Sequence, residues 1–415
     1  MNGRRVVVIG GGPAGLMAAG RAAKRGARVT LVEKNSTAGN KLLLSGKGRC
    51  NLTSSEEDTS SFISRYGSNG KFLHSPFSKF GPRETINFFQ SRGVPLKVER
   101  GKRVFPTSGG AREVLDSLLN YALGAGCDIL YGCDTLDLEV RDGRIHRLFS
   151  RDREIEGDAF ILCTGGKSFP KTGSTGDGYR FARKSGHTVI TPTPALCPVK
   201  TLERWPESSF GITLRNVSLS LTQGGREVSR RFGELSLTSF GISGPIAMDM
   251  SKEIDAALGS SDVSLSIDLK PALSHLALAR RIKRDFEKLS GRILRRSLGG
   301  LLPSGLIPAL LRATPVSGEK DVGKITNGKI DALAALLKDY RLTPTGLLGF
   351  NWAIVTSGGV ALKEIDPRSM RSKIVDNLFF AGEVIDIDGP TGGFNLQMCW
   401  STGHLAGESA ADFLT

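Results

Sequence analysis

Long apolar runs are missing from this 415-residue chain: no window offers about 18 uninterrupted hydrophobic residues, the length a membrane-crossing helix needs. The stretch after Arg4-Arg5 superficially resembles a signal peptide, but Gly10-Gly11-Gly12-Pro13 interrupts it at once. The expectation is a cytoplasmic protein without a membrane partner. Cysteine is sparse and scattered. Cys50, Cys127, Cys133, Cys163, Cys197 and Cys399 include no C-x-x-C pair and no Cys/His group at ligand spacing. This argues against structural zinc and any other metal, and against disulfide reduction, which uses a vicinal redox pair. Acidic residues are in deficit, 41 Asp+Glu against 56 Lys+Arg, for a net charge of +15. An excess of that size favours acidic partners such as nucleic acid, phosphorylated ligands or a membrane surface and says nothing about fold.

Glycine is abundant instead, 52 residues, roughly twice the usual share of about 7%. With 18 prolines and no triplet period, collagen is excluded. The 39% hydrophobic content supports one large or two to three ordinary domains. Such a glycine excess suggests backbone that must approach something closely.

The first forty residues show where. Arg4 to Ile9 reads as a buried parallel strand running into Gly10-Gly11-Gly12-Pro13-Ala14-Gly15, a G-x-G-x-x-G match. A helix rich in small residues comes next, ending at Gly26, and then a second β-branched run from Arg28 to Val32. Gly10 permits the turn, Gly12 lets a pyrophosphate meet the helix N-terminus, and Gly15 lets helix and strand touch. Glu33, about twenty residues on, is placed to accept from an adenosine ribose and disfavours a 2′-phosphate, so FAD or NAD is expected rather than NADP.

The chain beyond Glu33 favours FAD. An NAD dehydrogenase would continue its βαβ alternation. Here Gly39-Asn40-Lys41 and Ser45-Gly46-Lys47-Gly48-Arg49-Cys50-Asn51 form a glycine-basic loop, which alone could be only a solvated turn. Two later strands also end in small-residue turns: Asp158 to Leu162 before Cys163-Thr164-Gly165-Gly166, and Asn377 to Phe380 before Ala381-Gly382-Glu383. Asp386 or Glu383 is a candidate acceptor for ribityl hydroxyls. The run Gly389 to Gln397 opens a helix whose N-terminus would favour negative charge on a reduced flavin. The residues expected to hold FAD are thus Gly10, Gly12, Pro13, Ala14, Gly15, Glu33, Lys34, Lys41, Ser45, Gly46, Arg49, Cys50 and Asn51. To these are added Thr164, Gly165, Gly166, Gly382, Glu383, Asp386, Gly392, Gly393, Phe394, Asn395 and Leu396.

These motifs, with Gly101 to Pro106, Gly173 to Tyr179, Thr238 to Pro245 and Val355 to Val360, resemble a bacterial family of aminoacetone-oxidase-like FAD-dependent oxidoreductases. That family lies in the glutathione-reductase-like FAD superfamily and includes ribosomal RNA dihydrouridine synthase-type members. One departure is Ser239, where the family usually has His, so any role of that imidazole is in doubt here. The resemblance implies an α/β fold: a glutathione-reductase-like FAD-binding Rossmann domain, an inserted β-rich domain and a small helical subdomain. Residues 1–190 and 345–415 would form the FAD domain, 191–270 the β-rich domain, and 271–344 the helical part, with a return strand to the β domain. Sequence texture agrees. Val217 to Leu221 and Val263 to Ile267 alternate with period two, whereas the chain after Pro271 is rich in leucine and alanine at helical spacing.

No second G-x-G-x-x-G succeeds a strand, so either NAD(P)H visits the flavin transiently or electrons arrive from the substrate or a separate reductase. Cys50 beside Arg49 is the candidate proton donor, with a buried structural cysteine as the alternative. His404 and Trp400 are expected to pack rather than to react. Arg280 to Arg296 carries eight basic residues, and Arg281, Arg284, Arg292 and Arg295 are candidate RNA contacts. A second patch sets Lys71, His74, Lys79 and Arg83 among Phe72, Phe77 and Phe80. The resemblance offers several substrates: small amines such as aminoacetone, steroid enones, and uridine in large-subunit ribosomal RNA. A cationic field repels an ammonium substrate and suits phosphates, so NAD(P)H-driven reduction of uridine in RNA ranks above small-molecule redox. A non-catalytic FAD-containing RNA-binding protein is the third reading.

Overall fold

In the computed structural model, which describes residues 4–260 and 262–413, the β-branched run Arg5–Ile9 is strand β1. Val6, Val7 and Val8 are all buried, as a central parallel strand covered on both faces requires. Helix α1 (Pro13–Lys24) comes next, then strand β2 (Arg28–Val32), helix α2 (Ala111–Gly124), and strands β3 (Asp128–Leu130) and β4 (Ala159–Leu162). Strand β5 (Leu378–Phe380) and helix α3 (Phe394–Asp412) come from the far end of the chain. The strands form one parallel sheet in the order β5-β4-β1-β2-β3. Val8 lies opposite Leu31 and Ile161, and Ile161 opposite Phe379. All five strands therefore point their C-terminal ends to one edge, where this class of sheet binds ligands.

Helix α1 lies between α2 and α3, and small residues set both separations. A Cβ on Gly20 would fall 2.3 Å from the Tyr121 ring of α2. On α3, Cβ atoms at Gly403 and Gly407 would fall 2.4 and 2.3 Å from the carbonyl oxygens of Ala14 and Ala18. The antiparallel strands Asp137–Arg141, Arg144–Phe149 and Glu154–Glu156 add Leu138, Ile145 and Leu148 to the same core. Buried Asn377 fastens them, accepting from the Ile145 N–H and donating to its carbonyl, both at 2.8 Å.

The chain divides into two units, Ala195–Trp352 and the two flanking segments. The inner unit holds a seven-stranded antiparallel sheet. Its order is Tyr340–Leu342, Val263–Asp268, Thr213–Gln223, Arg226–Thr238, Gly241–Ser243, Val199–Thr201, Pro344–Leu347. This differs from the sequence-based division in two ways. The boundaries fall at Pro194/Ala195 and Trp352/Ala353 rather than at 190/191 and 344/345, and the helical segment is no separate subdomain. The reason is burial. Leu278 and Ile282 of helix His275–Lys288, and Leu333 and Leu337 of helix Asn327–Lys338, share one core with Leu219, Leu265 and Ile267 of the sheet. The chain beyond those helices supplies both edge strands. No helix among the described residues is long and apolar enough to cross a membrane.

Candidate functional site

The C-terminal edge of the parallel sheet gathers the motif loops. Gly10 has φ +105°, and a Cβ there would lie 2.6 Å from the Cys163 carbonyl, so the β1 and β4 loops touch through backbone. A Cβ on Gly15 would meet the Gly10 carbonyl at 1.9 Å, which is the close helix–strand approach expected of the third glycine. Gly12 has nothing within 4 Å of its missing Cβ. It is the N-cap of α1, Pro13 is the first helical residue, no side chain caps the helix and no acid lies in its first turn. The α1 N-terminus thus presents unsatisfied N–H groups and partial positive charge to open space, a fit for a pyrophosphate.

Glu33 is buried and organises this loop. One carboxylate oxygen accepts from the Gly11 N–H at 2.8 Å, the other from the Asn35 N–H at 2.8 Å and the Asn35 side chain at 2.6 Å. A carboxylate has about four acceptor sites, so capacity remains for a ribose hydroxyl. Lys34 turns aside to Asp177 at 2.7 Å and to the Thr175 hydroxyl. Burial pushes Asp177 up, but the hydrogen bonds from Lys34 and Thr175 outweigh it and hold the carboxyl below its usual range. Beside Glu33 lies an open cavity of about 460 Å³ lined by Lys34, Asn35, Gly132, Asp134, Arg151 and Asp152.

The remaining motifs converge through named contacts. A Cβ on Gly382 would lie 2.7 Å from the Ala14 Cβ, joining the β5 turn to the α1 N-terminus. Lys41 pairs with Glu383 at 2.7 Å, and Glu383 also accepts from the Thr356 N–H at 2.8 Å. The Thr356 hydroxyl in turn accepts from the Lys167 and Ser168 N–H groups, and a Cβ on Gly166 would fall 2.4 Å from it. Gly165 is left-handed, and the Thr164 hydroxyl is buried with no hydrogen-bond partner among the described residues. Asp386 is held by the Asn69 amide, at 2.7 Å to its carbonyl and 3.2 Å to its carboxylate. In the orientation that satisfies both ends, the Asn51 amide donates to the Thr53 and Val104 carbonyls and accepts from the Gly393 N–H at 3.1 Å. Gly392 and Gly393 both have positive φ, and a Cβ on Gly393 would strike the Thr53 backbone at 2.5 Å.

Several of the expected residues spend their side chains on internal contacts. Asn395 pins its own loop, accepting from the Gly389 N–H at 2.9 Å and donating to its carbonyl at 2.8 Å. Phe394 is buried among Phe62 and Tyr66, and Leu396 packs against the core. The Ser45 hydroxyl donates to the Leu42 carbonyl at 2.6 Å, while Gly46 has φ +57°. The expectation of Cys50 as a proton donor is corrected. Its side chain is fully buried, burial pushes the thiol up to about 12, and Arg49 is taken by Glu99 at 3.0 Å and by the Phe105 ring. His404 stacks on Phe80 and Trp400 is buried, as expected of packing residues. Sequence reasoning missed Asn35, Asn69, Thr356 and Arg151. Thr356 was visible within the motif Val355 to Val360, but nothing local assigned it a partner; Asn69 carried no signal.

The basic segment is only partly available. Arg281 is tied to Asp285 at 3.6 Å and Arg295 to Glu319, whereas Arg284 and Arg292 are exposed and have no ion-pair partner among the described residues. In the second patch the rings of Phe77 and Phe80 are buried, so cations and rings do not alternate on its surface. Ser239 is exposed in the turn after Arg226–Thr238.

A parallel sheet with an open glycine-capped helix N-terminus and a buried glutamate just after its second strand defines a dinucleotide-binding fold of the Rossmann type. The chain belongs to the HI0933-like family, whose Rossmann-domain profile matches residues 4–409. It is 30% identical to a 3-dehydro-bile acid delta(4,6)-reductase of Clostridium scindens, covering 98% of this chain and 99% of that protein. It is 28% identical to a ribosomal RNA dihydrouridine synthase of Haemophilus influenzae, covering 96% of each. In fold it matches the 3-ketosteroid-delta4-(5alpha)-dehydrogenase of Rhodococcus jostii RHA1, with a TM-score of 0.55 at 17% identity over 98% of this chain and 97% of that one. The protein is an FAD-dependent oxidoreductase.

Proposed function

We propose that the protein reduces a carbon–carbon double bond at the expense of NAD(P)H, and that its substrate is uridine in large-subunit ribosomal RNA. One hydride and one proton add across C5=C6 to give dihydrouridine, while NAD(P)H is oxidised. Bound FAD supplies the hydride-relay chemistry. The chain's share is to hold the pyrophosphate at the α1 N-terminus, fix the ribose at Glu33, lock the β4 and β5 turns together through Lys41, Glu383 and Thr356, and tie the turn before α3 to Asn51. The observation that carries RNA over a small molecule is the net charge of +15, because a chain of phosphates gains far more from such a field than a steroid with a single carboxylate or none.

A second reading, reduction of a steroid-like enone, is favoured by the 30% identity to a bile acid reductase along almost the whole chain. Both readings saturate a double bond and differ in what carries it. The test is anaerobic. FAD-loaded protein is bleached with NADH or NADPH, then offered ribosomal RNA or a 3-oxo-Δ4 steroid while flavin reoxidation and dihydrouridine content are monitored. Reoxidation by RNA with new dihydrouridine supports the first reading. Reoxidation by the steroid alone selects the second.

A further inference from the structure

We infer that the outward face of helix His275–Lys288, continued by Arg292 and Lys324, is a track for an RNA sugar–phosphate backbone. The inference rests on RNA being the substrate. The inner face of the helix buries Leu278, Ile282 and Phe286, while Arg280, Lys283, Arg284 and Lys288 are exposed. At 1.5 Å rise per residue, Arg280, Arg284 and Lys288 succeed one another about every 6 Å. A row of single charges at that interval suits a chain of phosphates better than one compact anion. The helix packs against the turn Val322–Lys324, and the Val322 N–H donates to the Arg292 carbonyl at 2.9 Å, which brings Arg292 and exposed Lys324 into the same neighbourhood.

The nearby carboxylates are committed elsewhere. Asp285 faces Arg281 and Glu319 faces Arg295, while Asp321 accepts from the Gly291 and Gly323 N–H groups at 3.0 and 2.9 Å. Along residues 275–324 Glu287 is the one remaining carboxylate beside six cations, and exposed Asp331 lies on the helix Asn327–Lys338 packed against this one. Like charges four residues apart destabilise a helix by a few tenths of a kcal/mol per pair, so packing does not explain the row. Phe286 faces the core, which leaves no ring for base stacking. The face therefore fixes the position of the RNA without reading its sequence. It also revises the contact set: Arg280, Lys283, Arg284, Lys288, Arg292 and Lys324 take the phosphates, and Arg281 and Arg295 are structural.

The triple variant Arg280→Gln, Arg284→Gln, Lys288→Gln tests this against a large-subunit ribosomal RNA transcript. Affinity should fall at least tenfold at low salt, and the slope of log K against log salt should shrink by about two, at about 0.7 per lost single-strand contact. FAD content should be unchanged and the thermal midpoint unchanged or slightly raised. The pair Arg281→Gln, Arg295→Gln should shift the slope by less. If the parent binds RNA and the triple variant binds equally with the same slope, the track is wrong while the substrate reading stands. If the parent neither binds nor reduces RNA, both fall together.

Discussion

Cys50 sits at φ +57° in a loop where Gly46, Lys47 and Gly48 are also left-handed, and its thiol is sealed from water. Next to an arginine the sequence suggested an activated thiol; in the fold the arginine points to Glu99, and burial keeps the proton on sulfur. Iodoacetamide at pH 8 should leave Cys50 unmodified in the native protein and label it after denaturation; rapid native labelling would show an accessible thiolate. His404 supplies the acid-side counterpart. Burial, then the Arg21 and Lys79 charges, push it down to about 4 from 6.5, against the pull of Glu408. A base depressed in the fold contributes stability above its unfolded value, and that stability is lost as pH falls from 6.5 toward 4. His404→Phe, which keeps a ring against Phe80, should flatten the decline in thermal midpoint across that window; an identical decline would remove the residue from the account. At this scale Glu33 was legible because acid after strand is a local pattern. Its grip by Gly11 and Asn35 was not, because it depends on how a turn closes.

At the scale of elements, β1, α1 and β2 could be read nearly to the residue, since periodicity, the glycine turn and Gly26 are written within thirty consecutive positions. The loop from Ser45 to Asn51 could not: positive φ at Lys47 and Cys50 runs against their own preferences and is imposed by the surrounding chain. The edge strands Tyr340–Leu342 and Pro344–Leu347 were similarly blurred, because their partners lie far away in sequence. The α1–α3 crossing gives an element-scale test. Gly→Ala inside a helix ordinarily gains about 1 kcal/mol of propensity. At Gly403 the new methyl would sit 2.4 Å from the Ala14 carbonyl, and overpacking of that kind costs about 1–3 kcal/mol. Gly403→Ala should therefore lower the thermal midpoint and weaken FAD retention, because Ala14 belongs to the turn that would hold the pyrophosphate. Gly328→Ala, at a helical site with nothing within 4 Å, should be neutral or stabilising. Equal behaviour of the two variants would mean the helices separate without consequence.

For the whole molecule, the decisive fact is that the FAD unit is assembled from both ends of the chain while Ala195–Trp352 has a core of its own. The exit and return are joined by the paired strands Val189–Ala195 and Val355–Val360. The Ala361 N–H donates to the Thr188 carbonyl at 2.9 Å, and Gly358 lies against the Thr191 carbonyl. Residue numbers rise on one strand as they fall on the other, so this ribbon is antiparallel, and Pro194 and Ala353 leave it from the same end. Closing a loop there costs little entropy, and both flanking segments already meet in β4–β5 pairing. Replacing residues 195–352 by a short Gly-Asn-Gly linker should therefore give a protein that folds cooperatively and binds FAD with the yellow colour of the parent. Interaction with ribosomal RNA should fall sharply, because the helix carrying Arg280, Arg284 and Lys288 is gone. A colourless product that stays unfolded with excess FAD would show that the outer unit depends on the inner one. A yellow product that still binds RNA with the parent's salt dependence would instead place the phosphate contacts on the FAD unit.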